Sequence, residues 1–196
     1  ENKLKDVYLD CDITKAKAIK IFNRSLRRDV DIVTANWYDY VYSILNGRGE
    51  YRGVKVYNKL TDSKGSATYP FLSINRINDR STSTNGRLKR MIRFLKHCKA
   101  DSAIDIDINS FDINAICYDI EPNSYRMLSY IELVPVLYLQ LKSICENDNH
   151  SNKLVSVDGH ENIFIDNPQK RQNLKLLLNE VESIYLNLHE SRLLAS

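Results

Sequence analysis

Apolar residues recur with two different periods along the 196-residue chain, and the period changes near residue 80. In the first part, short apolar runs alternate with polar residues, which is typical of strands with one buried face. This pattern predicts strands at 16–22, 29–33 and 54–57, a short helix at 37–45, a break at 46–49 and a polar loop at 61–68. In the second part, apolar residues recur every three or four positions, which favours amphipathic helices.

Three helices are predicted directly after this change. The first follows the hydroxyl-rich residues 81–84, which can cap a helix, and its apolar stripe consists of Leu88, Met91, Ile92, Leu95 and Cys98. The second is expected at 110–118, with Asn109 or Ser110 as its cap. The third is expected at 125–145, where Pro135 should introduce a kink or start a new helix.

The last forty residues predict a small hairpin and a final helix. The hairpin is expected at 154–165, with Asp158-Gly159 as its turn. Asn167-Pro168 opens the final helix, because proline is favoured in a first helical turn. Its buried face would hold Leu174, Leu177, Leu178, Val181, Ile184, Tyr185 and Leu188. Strands followed by a helical bundle define an α+β fold, and we expect two domains, 1–80 and 81–196.

Composition excludes several classes of protein. An apolar fraction of 43% and a charged fraction of 27% are ordinary for a globular protein. No apolar run reaches the roughly 20 residues of a membrane span, and the polar first residues predict no secretory signal. The four cysteines and four histidines lack metal-site spacing, so we expect reduced thiols in the cytoplasm and no zinc site. The chain does not begin with methionine, which is expected of a processed product or of a fragment, natural or engineered.

The segment RRDVDIV carries the first candidate chemistry. Asp29 and Asp31 lie two residues apart on a predicted strand, so both point to one face while Val30 and Ile32 point to the other. An acidic face that lines a cleft suits Mg²⁺, which prefers oxygen ligands. A solvated strand face would produce the same pattern.

The segment LKRMIRFLKHCK carries the second. Its polar side holds Lys89, Arg90, Arg93, Lys96, His97 and Lys99. Such a basic helix face can neutralise phosphates, and Arg93 and Lys96 lie about one turn apart, so both can project into one cleft. The net charge of +3 is small, so binding of nucleic acid stays open. A solvated helix face is again the alternative.

These segments occur in a familiar order: RRDVDIV, a YP pair, LKRMIRFLKHCK, INSFDINAICYDI and finally GHENIFIDNP with a later NL. The series resembles oligoadenylate synthetases, cyclic GMP–AMP synthase and their bacterial relatives, within the polymerase-β-like superfamily. The resemblance implies that Asp31 is the third catalytic carboxylate and a metal ligand. It also implies that Lys96 and Ser110 bind the triphosphate of the incoming nucleotide.

The chain also departs from that family. Cys98 stands where tryptophan is common, and Asn114 where glutamate is usual. The family's Gly-Ser helix and Asp-x-Asp strand, which hold phosphate and two Mg²⁺ ions, have no counterpart before Asp31. Asp10-Cys11-Asp12 has the right spacing, but too few residues precede it, so both aspartates are expected on the surface. These residues alone should therefore be inactive, and the missing segment would be a partner or part of the whole protein.

The function implied by the resemblance is synthesis of cyclic or linear oligonucleotide second messengers from nucleoside triphosphates. In a bacterium this would serve anti-phage signalling, with an effector protein as a further partner and no membrane association. Three alternatives stay open. The chain could be a non-catalytic binding module with the same fold, a tRNA or poly(A) nucleotidyltransferase, or an unrelated helical scaffold.

Overall fold

The computed structural model describes residues 7–8, 10–39, 45, 47, 51–165 and 167–194, with side chains up to residue 190. In these ranges the strands are β1 (Cys11–Asp12), β2 (Ile19–Asn23), β3 (Arg28–Ile32), β4 (Ala35–Tyr38), β5 (Gly53–Asn58) and β6 (Ser63–Thr68). The α-helices are α1 (Pro70–Ser83), α2 (Arg87–Asp101), α3 (Ser110–Asp119), α4 (Leu133–Glu146), α5 (Asp148–Lys153) and α6 (Pro168–Leu194). This order confirms the α+β fold class.

The chain forms two compact units, Glu1–Leu72 and Ser73–Ser196. The sequence placed the boundary at residue 80, whereas the structural division lies eight residues earlier, inside α1. That helix was missed because its apolar side is narrow: Leu72 is buried, but Ile74 is 52% exposed. Within the second unit, Arg76 of α1 donates a hydrogen bond to the carbonyl oxygen of Val157 at 2.8 Å.

The first unit holds two three-stranded antiparallel sheets, ordered β1-β2-β3 and β4-β5-β6. The predicted strands at 16–22, 29–33 and 54–57 correspond to β2, β3 and β5. The helix predicted at 37–45 is wrong at its start, because Trp37 pairs with Val54 in the β4–β5 ladder. Most of the rest of that helix, and of the break at 46–49, lies outside the described residues.

The polar loop predicted at 61–68 is also wrong, since residues Ser63–Thr68 form β6. The strand has only serine, lysine, glycine, alanine and threonine, and four of its six residues are exposed. An edge strand of this kind has too little apolar content to produce an alternating pattern. Its backbone hydrogen bonds to β5 nevertheless hold it in the sheet.

The second unit is built around α2. The predicted stripe of Leu88, Met91, Ile92, Leu95 and Cys98 is buried throughout, which confirms that helix. The helix predicted at 110–118 is confirmed as α3, and Asn109 is its cap. The final helix is confirmed as α6, in which Leu174, Leu177 and Val181 are fully buried.

Two predictions for the second unit need correction. The helix expected at 125–145 begins only at Leu133. Pro135 lies in its first turn, as expected of a proline that starts a new helix, and its missing N–H breaks no intrahelical hydrogen bond there. The hairpin expected at 154–165 is a loop with one isolated bridge, Val155 to Asn162. Gly159 turns the chain there with a φ of 78°.

The C-terminal end of α3 is fixed by a polar cluster. The carboxylate of Asp119 accepts hydrogen bonds from Gln140 of α4 at 2.8 Å and from His150 of α5 at 2.7 Å. His150 also contacts Ser143 of α4 at 2.8 Å. This cluster ties α3 to the two helices that follow it. None of the helices in the described ranges combines the length and apolar character needed to cross a bilayer.

Leu141→Ala should lower the free energy of unfolding by about 3 kcal/mol, because it removes buried methyl groups and leaves a cavity. Leu141 is 0% exposed, and Leu139 in the same helix is 62% exposed. Leu139→Ala is the matched control and should change the free energy by less than about 0.5 kcal/mol. Urea unfolding followed by circular dichroism measures both, and equal losses would contradict this placement of the core.

Candidate functional site

The acidic strand face lies on β3, in the first unit. Asp29 and Asp31 are exposed, whereas Val30 and Ile32 are half-buried. The structure therefore places both carboxylates on one exposed face, as the alternation predicts. The strand achieves this because Val30 pairs with Ile21, a buried residue of β2, which turns the apolar side inward.

Lysines balance the charge of this face. Lys15 lies 3.0 Å from the carboxylate of Asp31, and the two side chains are 44% and 53% exposed. Lys20 of β2 forms an ion pair with Asp29. The hydrogen bond and charge of Asp29 raise the pKa of Lys20 above its usual value. Exposed ion pairs of this kind are weak, so a competing cation can displace Lys15 from Asp31.

Asp12 also reaches this sheet, which the sequence did not indicate. It pairs with Lys20, which in turn pairs with Asp31, so Lys20 stands between the two aspartates. Asp12 is half-buried and Asp10 exposed. Asp12 accepts hydrogen bonds from the side chain and backbone of Thr14, which lower its pKa. Asp12 therefore stabilises the local turn that follows β1.

Metal binding needs more ligands than this face offers. Mg²⁺ takes several oxygen ligands, and the exposed carboxylate of Asp31 fits as one of them. In the part of the chain that the structure describes, no group of three histidine, cysteine, aspartate or glutamate side chains is placed to hold a metal ion. Among the described residues, Asp31 therefore suits the position of one ligand in such a site.

The basic flank of α2 lies in the second unit. Lys89 and Arg93 are exposed and Lys96 is half-buried, and their spacing of four and three residues places them along one flank. Lys96 is close enough to α3 for its charge to oppose the burial that raises the pKa of Cys117. Arg90 lies away from this flank, with its guanidinium 4.1 Å from the ring centre of Tyr130.

Ser110 opens α3, which packs against α2. The side chain of Asn109 accepts a hydrogen bond from the backbone of Asp112, and Asp112 accepts one from the backbone of Asn109, so a capping box surrounds Ser110. Ser110 itself is exposed. Lys99 of α2 donates to the carbonyl oxygen of Ile108 at 2.8 Å, which ties the start of α3 to the basic helix.

Lys96, Arg93 and Ser110 therefore belong to two adjoining helices of one unit, and Asp31 belongs to the other unit. A groove shared by Asp31 and Lys96 stays a prediction, as do the roles of all four residues. Sequence reasoning missed Asp112 and its partner Lys170. The N-x-x-D spacing of a capping box could have revealed Asp112, but no local pattern indicates Lys170.

The helical unit matches a known family. The family model described as the cGAS/DncV-like nucleotidyltransferase C-terminal helical domain covers residues 75–186, more than half of the chain. The chain therefore belongs to the cGAS/DncV-like nucleotidyltransferases. This confirms the resemblance inferred from the order of the motifs.

Named relatives agree with this family. A c-di-GMP synthase from Capnocytophaga granulosa is 56% identical over 96% of this chain and 54% of that protein. The structure of a STING-associated CdnE c-di-GMP synthase from the same species has a TM-score of 0.87 at 54% identity, over 97% of this chain and 62% of that one. A similar synthase from a Flavobacteriaceae species has a TM-score of 0.84 at 40% identity, over 96% and 54%. The chain spans about half the length of the curated relatives it matches.

Asn109→Ala should lower the free energy of unfolding by about 1 kcal/mol, because the backbone N–H of Asp112 loses its acceptor at the helix start. Asn75→Ala, at an exposed position inside α1, is the control and should be neutral or slightly stabilising, because alanine favours helix. Chemical denaturation compares the two variants. A stability of Asn109→Ala equal to that of the unchanged protein would contradict the capping box.

Proposed function

We propose that the whole protein is a metal-dependent nucleotidyltransferase that joins nucleoside triphosphates into a cyclic dinucleotide, with c-di-GMP as the product. The observation that carries this proposal is the 56% identity to a c-di-GMP synthase, which extends over 96% of the chain. An acceptor hydroxyl would attack the α-phosphate of GTP, and pyrophosphate would leave. We assign the activity to the whole protein, because the described residues would supply one metal ligand, Asp31.

Asp31 would be that ligand. Its carboxylate is exposed on a strand whose other side is anchored in the sheet, so it can meet a metal ion without a change of fold. Bound Mg²⁺ would supply positive charge for the leaving pyrophosphate and lower the pKa of the acceptor hydroxyl. The remaining carboxylates of a two-metal site would come from elsewhere in the whole protein.

Lys96, Arg93 and Ser110 would hold the triphosphate. Lys96 is half-buried beside α3, and a cation that is partly removed from water interacts more strongly with phosphate than an exposed one. Arg93 lies almost one turn earlier on the same flank, and Ser110 offers a hydroxyl at the start of the adjoining helix. Their contribution would be orientation and charge neutralisation.

The cyclic dinucleotide would act on an effector protein in the bacterial cytoplasm. One relative is described as STING-associated, so we propose an effector of the STING type, and a role in defence against phage.

Asp31→Asn in the whole protein should abolish cyclic dinucleotide formation, with a loss of at least about 100-fold, because the amide cannot replace the charge of a metal-binding carboxylate. Asp29→Asn is the control, since it alters the same exposed face two residues away. Chromatography of labelled nucleotide products measures both variants. Full activity of Asp31→Asn would refute its catalytic role, and absence of activity in the unchanged protein would favour the binding module.

Lys96→Ala should raise the KM for GTP about tenfold with a smaller change in kcat, because it removes binding present before and during the reaction. Arg90→Ala removes an equal charge from the same helix on the side of Tyr130 and should leave the KM within about twofold. Steady-state kinetics with GTP gives both constants. An unchanged KM in Lys96→Ala would count against its contact with the triphosphate.

A further inference from the structure

The backbone just before and at the start of α3 is held by contacts from two other helices. Asn173 of α6 accepts a hydrogen bond from the backbone N–H of Asp107 at 2.8 Å. Lys99 of α2 donates to the carbonyl oxygen of Ile108 at 2.8 Å. The ammonium group of Lys170 in α6 lies 3.0 Å from the carboxylate of Asp112. Ser110 is therefore exposed at the centre of a fixed stretch.

Of these three contacts, the one between Lys170 and Asp112 joins two opposite charges. The Asp112 side chain is 1% exposed and that of Lys170 is 24% exposed. A buried carboxylate without its counter-ion is costly, because water no longer solvates its charge. The other carboxylate oxygen of Asp112 accepts the backbone N–H of Asn109 at 3.3 Å. One carboxylate thus joins the first turn of α6 to the capping box around Ser110.

From this geometry we infer that Lys170 and Asp112 are positioning residues, which hold Ser110 where it can bind the β- and γ-phosphates of the nucleotide. The inference rests on the proposed function and assigns to the last helix a part in nucleotide binding. Neither residue needs to touch the nucleotide. Lys170 acts through Asp112, and Asp112 acts through the turn that carries Ser110.

Fixed placement matters because the serine side chain is short, so its hydroxyl can bind a phosphate only when the backbone at Ser110 is correctly placed. Small displacements of a binding group from its productive position cost large factors in binding or rate. The other end of α3 is also fixed, by Gln140 and His150 at Asp119. Loss of the Lys170 contact would therefore loosen only the end of α3 that carries Ser110, and the rest of the helix would stay in place.

The test uses the whole protein and two ligands, a non-hydrolysable GTP analogue and GMP. The affinity for the analogue divided by the affinity for GMP isolates what the β- and γ-phosphates contribute. A general loss of stability would weaken the binding of both ligands and leave this ratio unchanged. The variants are Lys170→Met, the double variant Lys170→Met with Asp112→Asn, and Lys170→Arg. Lys175→Met is the control, because Lys175 lies exposed on the same helix.

We expect the ratio to fall about tenfold in Lys170→Met and in the double variant. In the double variant, no unpaired charge remains buried, so most of the thermal stability should return while the low ratio persists. Lys170→Arg should restore the ratio to within about twofold, because it keeps the charge. Lys175→Met should leave it unchanged. Thermal unfolding and titration calorimetry supply the two readouts.

Three results would overturn the inference. If Ser110→Ala lowers the ratio but neither Lys170→Met nor the double variant does, the ion pair is a structural contact only. If Ser110→Ala and Lys96→Ala both leave the ratio unchanged, the proposed triphosphate site is itself absent and the inference falls with it. A ratio that recovers together with stability in the double variant would likewise show a purely structural role.

Discussion

The helical unit depends on the burial of one side of α2. Its five-residue apolar stripe is buried, and the helix packs against α3, α4 and α6. Once that side faces the core, the basic residues at the intervening positions must lie on the outer flanks, since helical geometry fixes their directions. The same constraint that builds the core therefore presents Lys89, Arg93 and Lys96 together. Core packing and the display of these three basic residues therefore have one structural cause in this helix.

The sequence predicted the elements whose apolar residues follow a strict period. The stripe of α2, the cap of α3 and the proline at the start of α6 are local signals, and each is confirmed. The errors lie where packing overrides local pattern. Residues 63–68 form a strand through backbone pairing with β5, and residues 125–132 do not extend α4 although Leu128 and Ile131 continue its period. Tyr125 is fully buried there, which fixes this segment as turns.

In the candidate site, too, residues in local motifs could be predicted and long-range contacts could not. Asp31 and Lys96 could be proposed from the sequence because each lies in a short motif whose order matches a family. Lys170 could not be found, since it meets Asp112 across 58 residues of sequence and no periodic pattern joins them. Asp12 was placed on the surface, yet strand pairing brings it into one row with Lys20 and Asp31. Long-range pairing of this kind is visible only in the fold.

The two sets of charges differ in how firmly they are held. The pair of Lys15 with Asp31 is about half exposed on both sides, so water screens it and its rearrangement costs little. In the pair of Lys170 with Asp112 the carboxylate is buried, so separating the pair leaves an unsolvated carboxylate. A metal-binding carboxylate must exchange partners when a cation arrives, whereas a phosphate-binding hydroxyl gains from a fixed position. The exposure of each ion pair is suited to the role proposed for its unit.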